Sequence, residues 1–427
     1  MKKYEYPEVG EVLFREKLSN GLEVMVLPRP GFTRKMAYFV TDFGSIHTDF
    51  LLEGRKIHAP AGIAHFLEHK MFDLPGGRDV SAELAALGAD TNAFTSYDIT
   101  AYYISCTDNF PQALRLLIEF VSTPYFTEES VQKEMGIIDQ EIGMNEDTPD
   151  SCLFDAMMES MYAVHPVRNP ILGTRESIRE ITPQLLHDCH RAFYTPGNMV
   201  LCVTGDVDPD EVAQIALEML GPDPRPVGEK IRGWEEEMRP VNGGGTMEME
   251  VAMPMFQIGF KAEPLGHGEE EIRQEIIADL AAEALFGESS ELYLELYEAG
   301  IIDSSFGGGF ETIDGMAMLF CSGDSNDPKA IRDALVTAAK KLCQEGISQE
   351  NFLRMKRSAF GRKIRDLDSF SANCYRLSAN YFTRFDYFDF PRLYRSIECD
   401  EILEFIRRVV KKKRCVMGII NPVKEAD

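Results

Sequence analysis

One order of structural elements occurs twice along this chain, and that repetition limits the possible folds more than any other feature. In the first half, a helix-like apolar run at 63–72 leads to an alternating segment at 92–106. An amphipathic helix near 110–121 follows, and then Phe126-Thr-Glu-Glu-Ser-Val opens a helix through Glu141. In the second half, 272–286 leads to 310–322, then to a helix near 329–342, and Ile347-Ser-Gln-Glu-Asn-Phe opens a helix through Lys363. Both openings place a capping residue ahead of the apolar run, as helix starts require. Strands are expected at 23–28, 199–204 and 415–420, where β-branched and apolar residues cluster. The alternation of 92–105 reads as one half-buried strand.

A chain of 427 residues exceeds what one hydrophobic core usually serves. The richest punctuation lies at 221–245, from Gly221-Pro-Asp-Pro-Arg-Pro to Asn242-Gly-Gly-Gly245, and reads as a linker. Domains are therefore expected at 1–220 and 246–427. Strands mixed with long helices in a repeated order predict an α+β sandwich, one sheet layered by helices, present twice.

Composition narrows the partners. With 44 basic against 70 acidic residues the formal charge is −26, which disfavours nucleic acid and anionic membranes, since both call for clustered Lys and Arg. No stretch reaches the roughly 20 apolar residues of a membrane span. The first residues, Met-Lys-Lys-Tyr-Glu-Tyr-Pro, lack an apolar run behind the lysines, so no secretory signal is expected and a cytoplasmic location is. Nine cysteines without a CxxC pair predict reduced thiols rather than disulfides or a thiolate-bound metal.

Chemistry concentrates in Gly62-Ile-Ala-His-Phe-Leu-Glu-His-Lys70. His65 and His69 are four apart, so a helix stacks their rings on one face, where they can pinch a metal ion. Glu68 reaches the rim of the same site and can accept a proton from a metal-activated water. The pattern H-x-x-E-H inverts the H-E-x-x-H of many zinc hydrolases, and chance would produce it in only about 1% of chains this long. Two histidines do not complete a catalytic zinc site. Glu134 and Glu141, seven apart on one helix face, are the candidates: one carboxylate can bind the metal while the other supports a ligand histidine or the substrate.

The inverted motif, the downstream Glu-x6-Glu helix, the segment His165-Pro-Val-Arg-Asn-Pro-Ile-Leu-Gly173 and the duplicated halves together resemble the inverzincin peptidases of family M16, related to pitrilysin, insulysin and the mitochondrial processing peptidase. The resemblance is to the short bacterial branch, in which one chain carries half of what insulysin carries. It implies two homologous sandwich domains, each a mostly antiparallel sheet with helices, as in the LuxS/M16 metallopeptidases. It also implies Glu141 as third zinc ligand, Glu134 as a supporting acid, and Asn92 and Ala93 on an edge strand that binds substrate main chain by strand addition. The second half lacks the zinc motif, reading Asp279-Leu-Ala-Ala-Glu-Ala-Leu-Phe286 in its place, so one Zn2+ per chain is expected.

Family members further use an Arg and a Tyr on the substrate carbonyl and oxyanion. Arg376 and Tyr381 are weak candidates, five apart and diverging on a helix; otherwise a second subunit supplies the pair, as homodimer or as heterodimer with an M16 paralogue. Phe306-Gly-Gly-Gly-Phe310 reads either as a loop near the substrate cavity or as a turn entering a strand. The resulting expectation is a zinc endopeptidase acting on peptides or unfolded segments in an enclosed chamber. The alternative is a non-catalytic or regulatory subunit of a heterodimeric processing peptidase.

Overall fold

Runs of buried β-branched and aromatic residues build the first sheet. In the computed structural model, which describes residues 1–423, its strands are β1 (Lys2–Tyr6), β2 (Glu11–Lys17), β3 (Glu23–Pro28), β4 (Lys35–Thr41), β5 (Ala89–Thr95), β6 (Thr100–Cys106) and β7 (Met199–Gly205). Their order is β1-β2-β3-β7-β4-β6-β5, with β7 parallel to β3 and every other pairing antiparallel. Every residue of β7 is buried, as a strand covered on both faces requires. Ala37, Phe39, Leu201 and Val203 point into a core shared with α1 (Ile63–Lys70) and α2 (Phe110–Ser122). Tyr38 and Thr204, on the other face, meet helix Phe370–Phe382 through Ser371 (2.6 Å) and Cys374 (3.3 Å).

Internal contacts divide the chain into two units. The first comprises Met1–Ile142, Pro170–Arg232 and Ile364–Pro391; the second comprises Gly143–Asn169, Gly233–Lys363 and the chain from Arg392 onward. The sheet of the second unit contains β8 (Thr246–Met249), β9 (Met255–Lys261), β10 (Gly307–Ile313), β11 (Met316–Asp324) and β12 (Cys415–Pro422), in the order β8-β12-β9-β11-β10. Only the β8–β12 pairing is parallel. Helix Pro149–Met161 lies on β9 and β12, and two glycines let it close: a Cβ on Gly259 would stand 2.5 Å from Met161 Cε, and one on Gly418 would stand 3.0 Å from Leu153 Cδ2. Each sheet thus takes a helix from the other half of the sequence. The expected halves 1–220 and 246–427 do not coincide with these units, because 143–169 and 364–391 are exchanged. Apolar faces decide it: Leu153, Met157 and Met161 face one sheet, and Phe370, Cys374 and Leu377 the other.

Three local expectations change. The single strand read at 92–105 is a hairpin, β5 and β6, since Ser96 and Asp98 form the turn: the Ile99 N–H donates to Ser96 Oγ, and Ser96 Oγ donates to Asp98. The stretch 221–245 is not a bare linker. Glu229–Lys230 pairs with Phe50 and Leu51 in the first unit, and in the second Glu236 accepts backbone N–H groups of Ala163, Val164 and His165 at 2.5–3.2 Å. The Gly307–Gly309 run is strand, with Gly308 so close to Phe320 O that a Cβ would stand 2.1 Å from it. Among the described residues all nine cysteines are free, and no helix is long and apolar enough to cross a membrane.

Candidate metal centre

Helix α1 begins at Gly62 in the left-handed region (φ 91°), where an L side chain is strained. Space matters as much as conformation. A Cβ on Gly62 would stand 2.5 Å from Leu172 O, and one on Gly173 would stand 2.5 Å from Ala61 O, so the two glycines let the 170–174 loop seat against the helix entry. Ser177 Oγ donates to Ala61 O at 2.8 Å and fixes the same corner. Ile63, Phe66 and Leu67 anchor the opposite face of α1 in the core, which leaves His65, Glu68 and His69 to one side.

Helix α3 (Glu128–Glu146) supplies the remaining carboxylates. His65 Nε2 lies 3.6 Å from Glu141 Oε1, and His69 Nε2 lies 3.5 Å from Glu141 Oε2. These separations are long for hydrogen bonds. Two ligands held at about 2.0–2.1 Å by a tetrahedral zinc stand about 3.3–3.4 Å apart, so the donor set fits such an ion. His65, His69 and Glu141 bring one ligand atom each within 4.8 Å of the others and could hold a metal; among the described residues this is the one group of its kind found. Glu134 Oε1 sits 2.9 Å from His69 Nδ1, fixing the ring and directing Nε2 toward the cluster.

Electrostatics separate the carboxylates. Burial pushes the Glu68 carboxyl above its ordinary range, partly offset by a 2.6 Å hydrogen bond from Thr95 Oγ1 and by the two histidines. Glu141 is pulled below its usual range, first by its contact with His65. For His69, burial opposes the charged form, but the Glu134 contact and the surrounding carboxylates outweigh it and raise the ring. One carboxylate is thus suited to hold a cation and the other to exchange a proton.

The sequence-predicted residues His65, Glu68, His69, Glu134 and Glu141 therefore stand in one cluster. Asn92 and Ala93 lie on β5, at the open edge of the sheet. Ala93 pairs in register with Tyr102, but its N–H donates to Asn92 Oδ1 at 2.9 Å, so this amide points out of the ladder. Thr95 shares that orientation two residues on and reaches Glu68. Sequence reasoning assigned no role to Thr95, although it lies in the same alternating segment, and none to the Gly62–Gly173 seat. Arg376 lies 3.5 Å from Asp366 and is engaged in an ion pair.

A mixed sheet-and-helix fold in two units, with a His-His-Glu cluster on α1 and α3, defines a metallopeptidase-like class of protein. Residues 57–175 match the description Insulinase (Peptidase family M16), and residues 180–359 match Peptidase M16 inactive domain. A Bacillus subtilis (strain 168) protein described as an uncharacterized zinc protease, YmfH, is 38% identical over 434 aligned positions and 99% of each chain. The crystal structure of a putative M16-like peptidase from Alicyclobacillus acidocaldarius has a TM-score of 0.92 at 31% identity, covering 97% of this chain and 99% of that one. Pitrilysin has a TM-score of 0.79 at 15% identity, a likeness of fold that covers 99% of this chain and 46% of pitrilysin. This chain belongs to peptidase family M16.

Proposed function

We propose that the protein is a zinc-dependent endopeptidase that hydrolyses extended peptides or unfolded segments, with His65, His69 and Glu141 holding the metal. The observation that carries this reading is the spacing of the three donors, 3.5 and 3.6 Å at Glu141, beside a buried Glu68. A zinc ion bound there would supply a polarised, acidified water and a Lewis acid for the scissile carbonyl. Glu68 would accept a proton at its carboxylate and pass it to the leaving amine, a role favoured by its raised affinity for protons. Thr95 holds the Glu68 carboxylate in orientation through the 2.6 Å bond. Glu134 restrains His69 through the 2.9 Å contact.

The outward amide of Ala93 offers a main-chain donor to an extended substrate, and the edge strand β5 runs past Glu68 through Thr95. Substrate would join the sheet as an added strand, with Asn92 releasing the amide on binding. A homodimer partner, or a paralogue, would contribute groups for the oxyanion, since Arg376 is paired with Asp366.

The test is Glu68→Gln. Purified wild-type chain is expected to hold one zinc and to cleave a quenched fluorescent peptide, while the variant keeps zinc and loses about 10²–10⁴-fold in rate. Equal cleavage by both would refute the assigned base. Zinc without cleavage by the wild type alone, restored by adding a paralogue, would place the chain as the metal-bearing half of a split site. Zinc without cleavage under either condition would favour the non-catalytic reading.

A further inference from the structure

The dipeptide Asn-Gly occurs twice in this chain, at Asn20-Gly21 and at Asn242-Gly243. In this dipeptide the asparagine side chain is open to attack by the next backbone nitrogen, because glycine has no Cβ to shield that nitrogen or to restrict its dihedral angles. The fold treats the two sites in opposite ways.

Both asparagines form an Asx turn: Asn20 Oδ1 accepts the Leu22 N–H at 3.1 Å, and Asn242 Oδ1 accepts the Gly244 N–H at 2.8 Å. Such a turn folds the side-chain Cγ back over the following peptide nitrogen. At Asn20 both reacting groups are committed elsewhere. The Gly21 N–H donates to Leu18 O at 2.9 Å, Asn20 Nδ2 donates to Gly221 O at 2.7 Å, and Asn20 is only 1% exposed. By contrast, Asn242 and Gly243 are exposed, and neither Asn242 Nδ2 nor the Gly243 N–H has a hydrogen-bond partner among the described residues. The turn itself is held by its surroundings. The Asn242 N–H donates to Ser160 O at 3.2 Å, the Met417 N–H donates to Gly243 O at 3.1 Å, and Gly244 (φ 94°) lies so close to β12 that a Cβ would stand 2.1 Å from Met417 O. The turn is thus kept folded while its nucleophile is left free. Arg239 and Lys413 line the same cavity, of about 490 Å3, and positive charge there favours loss of the Gly243 amide proton and the oxyanion of the addition step.

We propose that Asn242 is a site of spontaneous self-modification. The Gly243 nitrogen gives its proton to solvent and bonds to Asn242 Cγ; the Cγ–Nδ2 bond breaks, and Nδ2 leaves as ammonia, closing a succinimide ring. Water then adds to one of the ring carbonyls. Opening at the Cγ–N bond gives aspartate on an unchanged backbone, and opening at the original peptide bond gives isoaspartate, with the main chain rerouted through the side chain. Water enters and ammonia leaves, so no oxidant or cofactor is needed. Either product adds a negative charge beside Arg239 and Lys413. Isoaspartate also lengthens the chain by a methylene just ahead of β8, where the Met417 and Ile419 N–H groups donate to Gly243 O and Gly245 O. The inference is independent of the peptidase reading.

The test is incubation of the full chain in mildly alkaline buffer, followed by digestion, mass spectrometry and labelling with an isoaspartyl methyltransferase. The Asn242 peptide is expected to gain the mass of an amide-to-acid exchange, and the label, at least about tenfold faster than the Asn20 peptide, where two hydrogen bonds must break before the ring can close. In chain unfolded by urea the two rates should converge. Gly243→Ala is expected to slow the reaction about tenfold, since a Cβ shields the nucleophile. That Cβ would meet nothing within 4 Å, and the residue lies outside the left-handed region, so the variant keeps the fold. Amide exchange at Met417 and Ile419 is expected to quicken in the isoaspartyl fraction. Four outcomes overturn the proposal: no modification at Asn242, equal rates at the two sites in the folded chain, a difference that persists in urea, or an unchanged rate in Gly243→Ala.

Discussion

His69 Nδ1 lies 2.9 Å from Glu134 Oε1, a contact between residues 65 apart in sequence that fixes which ring nitrogen faces His65 and Glu141. Removing it leaves the three candidate ligands in place but the His69 ring free to turn. Glu134→Ala is expected to weaken zinc binding about 10- to 100-fold, read by competition with a chromophoric chelator. Unchanged affinity would show that α3 packing alone orients His69.

Thr95 donates to Glu68 at 2.6 Å, and a hydrogen bond to a charged group contributes about 1.5–3 kcal/mol. Thr95→Val keeps the shape of the side chain and removes the donor. Peptide cleavage should fall about tenfold or more in kcat with zinc content unchanged. A change confined to KM would assign Thr95 to substrate contact instead.

The outward Ala93 N–H permits a test that spares the fold. Proline at an edge position whose amide faces away from the ladder removes no strand pairing. Ala93→Pro is therefore expected to raise KM about tenfold, the loss of roughly one main-chain hydrogen bond, while zinc content and melting temperature stay close to wild type. Unaltered KM would remove β5 from the substrate site.

His190 is buried in the first unit, and Nε2–H donates to Val121 O at 3.2 Å. Burial depresses its ring to about 4 from an ordinary 6.5. The folded state therefore resists protonation that the unfolded chain accepts. The stability this ring contributes is complete above about pH 6.5 and is lost as pH falls toward 4, by at most about 3 kcal/mol. Denaturant melts of wild type and His190→Gln across pH 4–7.5 should converge toward the acid end. Parallel curves would exclude His190 as a source of acid lability.

Much of the candidate metal cluster was legible because its logic is local. A helix fixes residues four apart on one face, so His65, Glu68 and His69 declare their chemistry from spacing alone, and Glu134 and Glu141 are likewise tied by one helix. Duplicated order made the two-sheet architecture legible for the same reason: each element carries its own period. What spacing could not tell was which of the two glutamates meets the histidines and which stands behind, since that depends on how α3 is set against α1. Family resemblance implied an order; in the structure Glu141 lies 3.5–3.6 Å from the histidine Nε2 atoms, and Glu134 lies 2.9 Å from His69 Nδ1. The hairpin turn at Ser96–Asp98, the Thr95–Glu68 bond and the Gly62–Gly173 seat join residues that no periodicity links. The exchange of helices Pro149–Met161 and Phe370–Phe382 between units also escaped sequence reading, because an amphipathic helix reveals that it has an apolar face but not which sheet will cover it. Local backbone geometry set out the candidate ligands; long-range packing decided which of these side chains meet, what supports them and the unit to which each helix belongs.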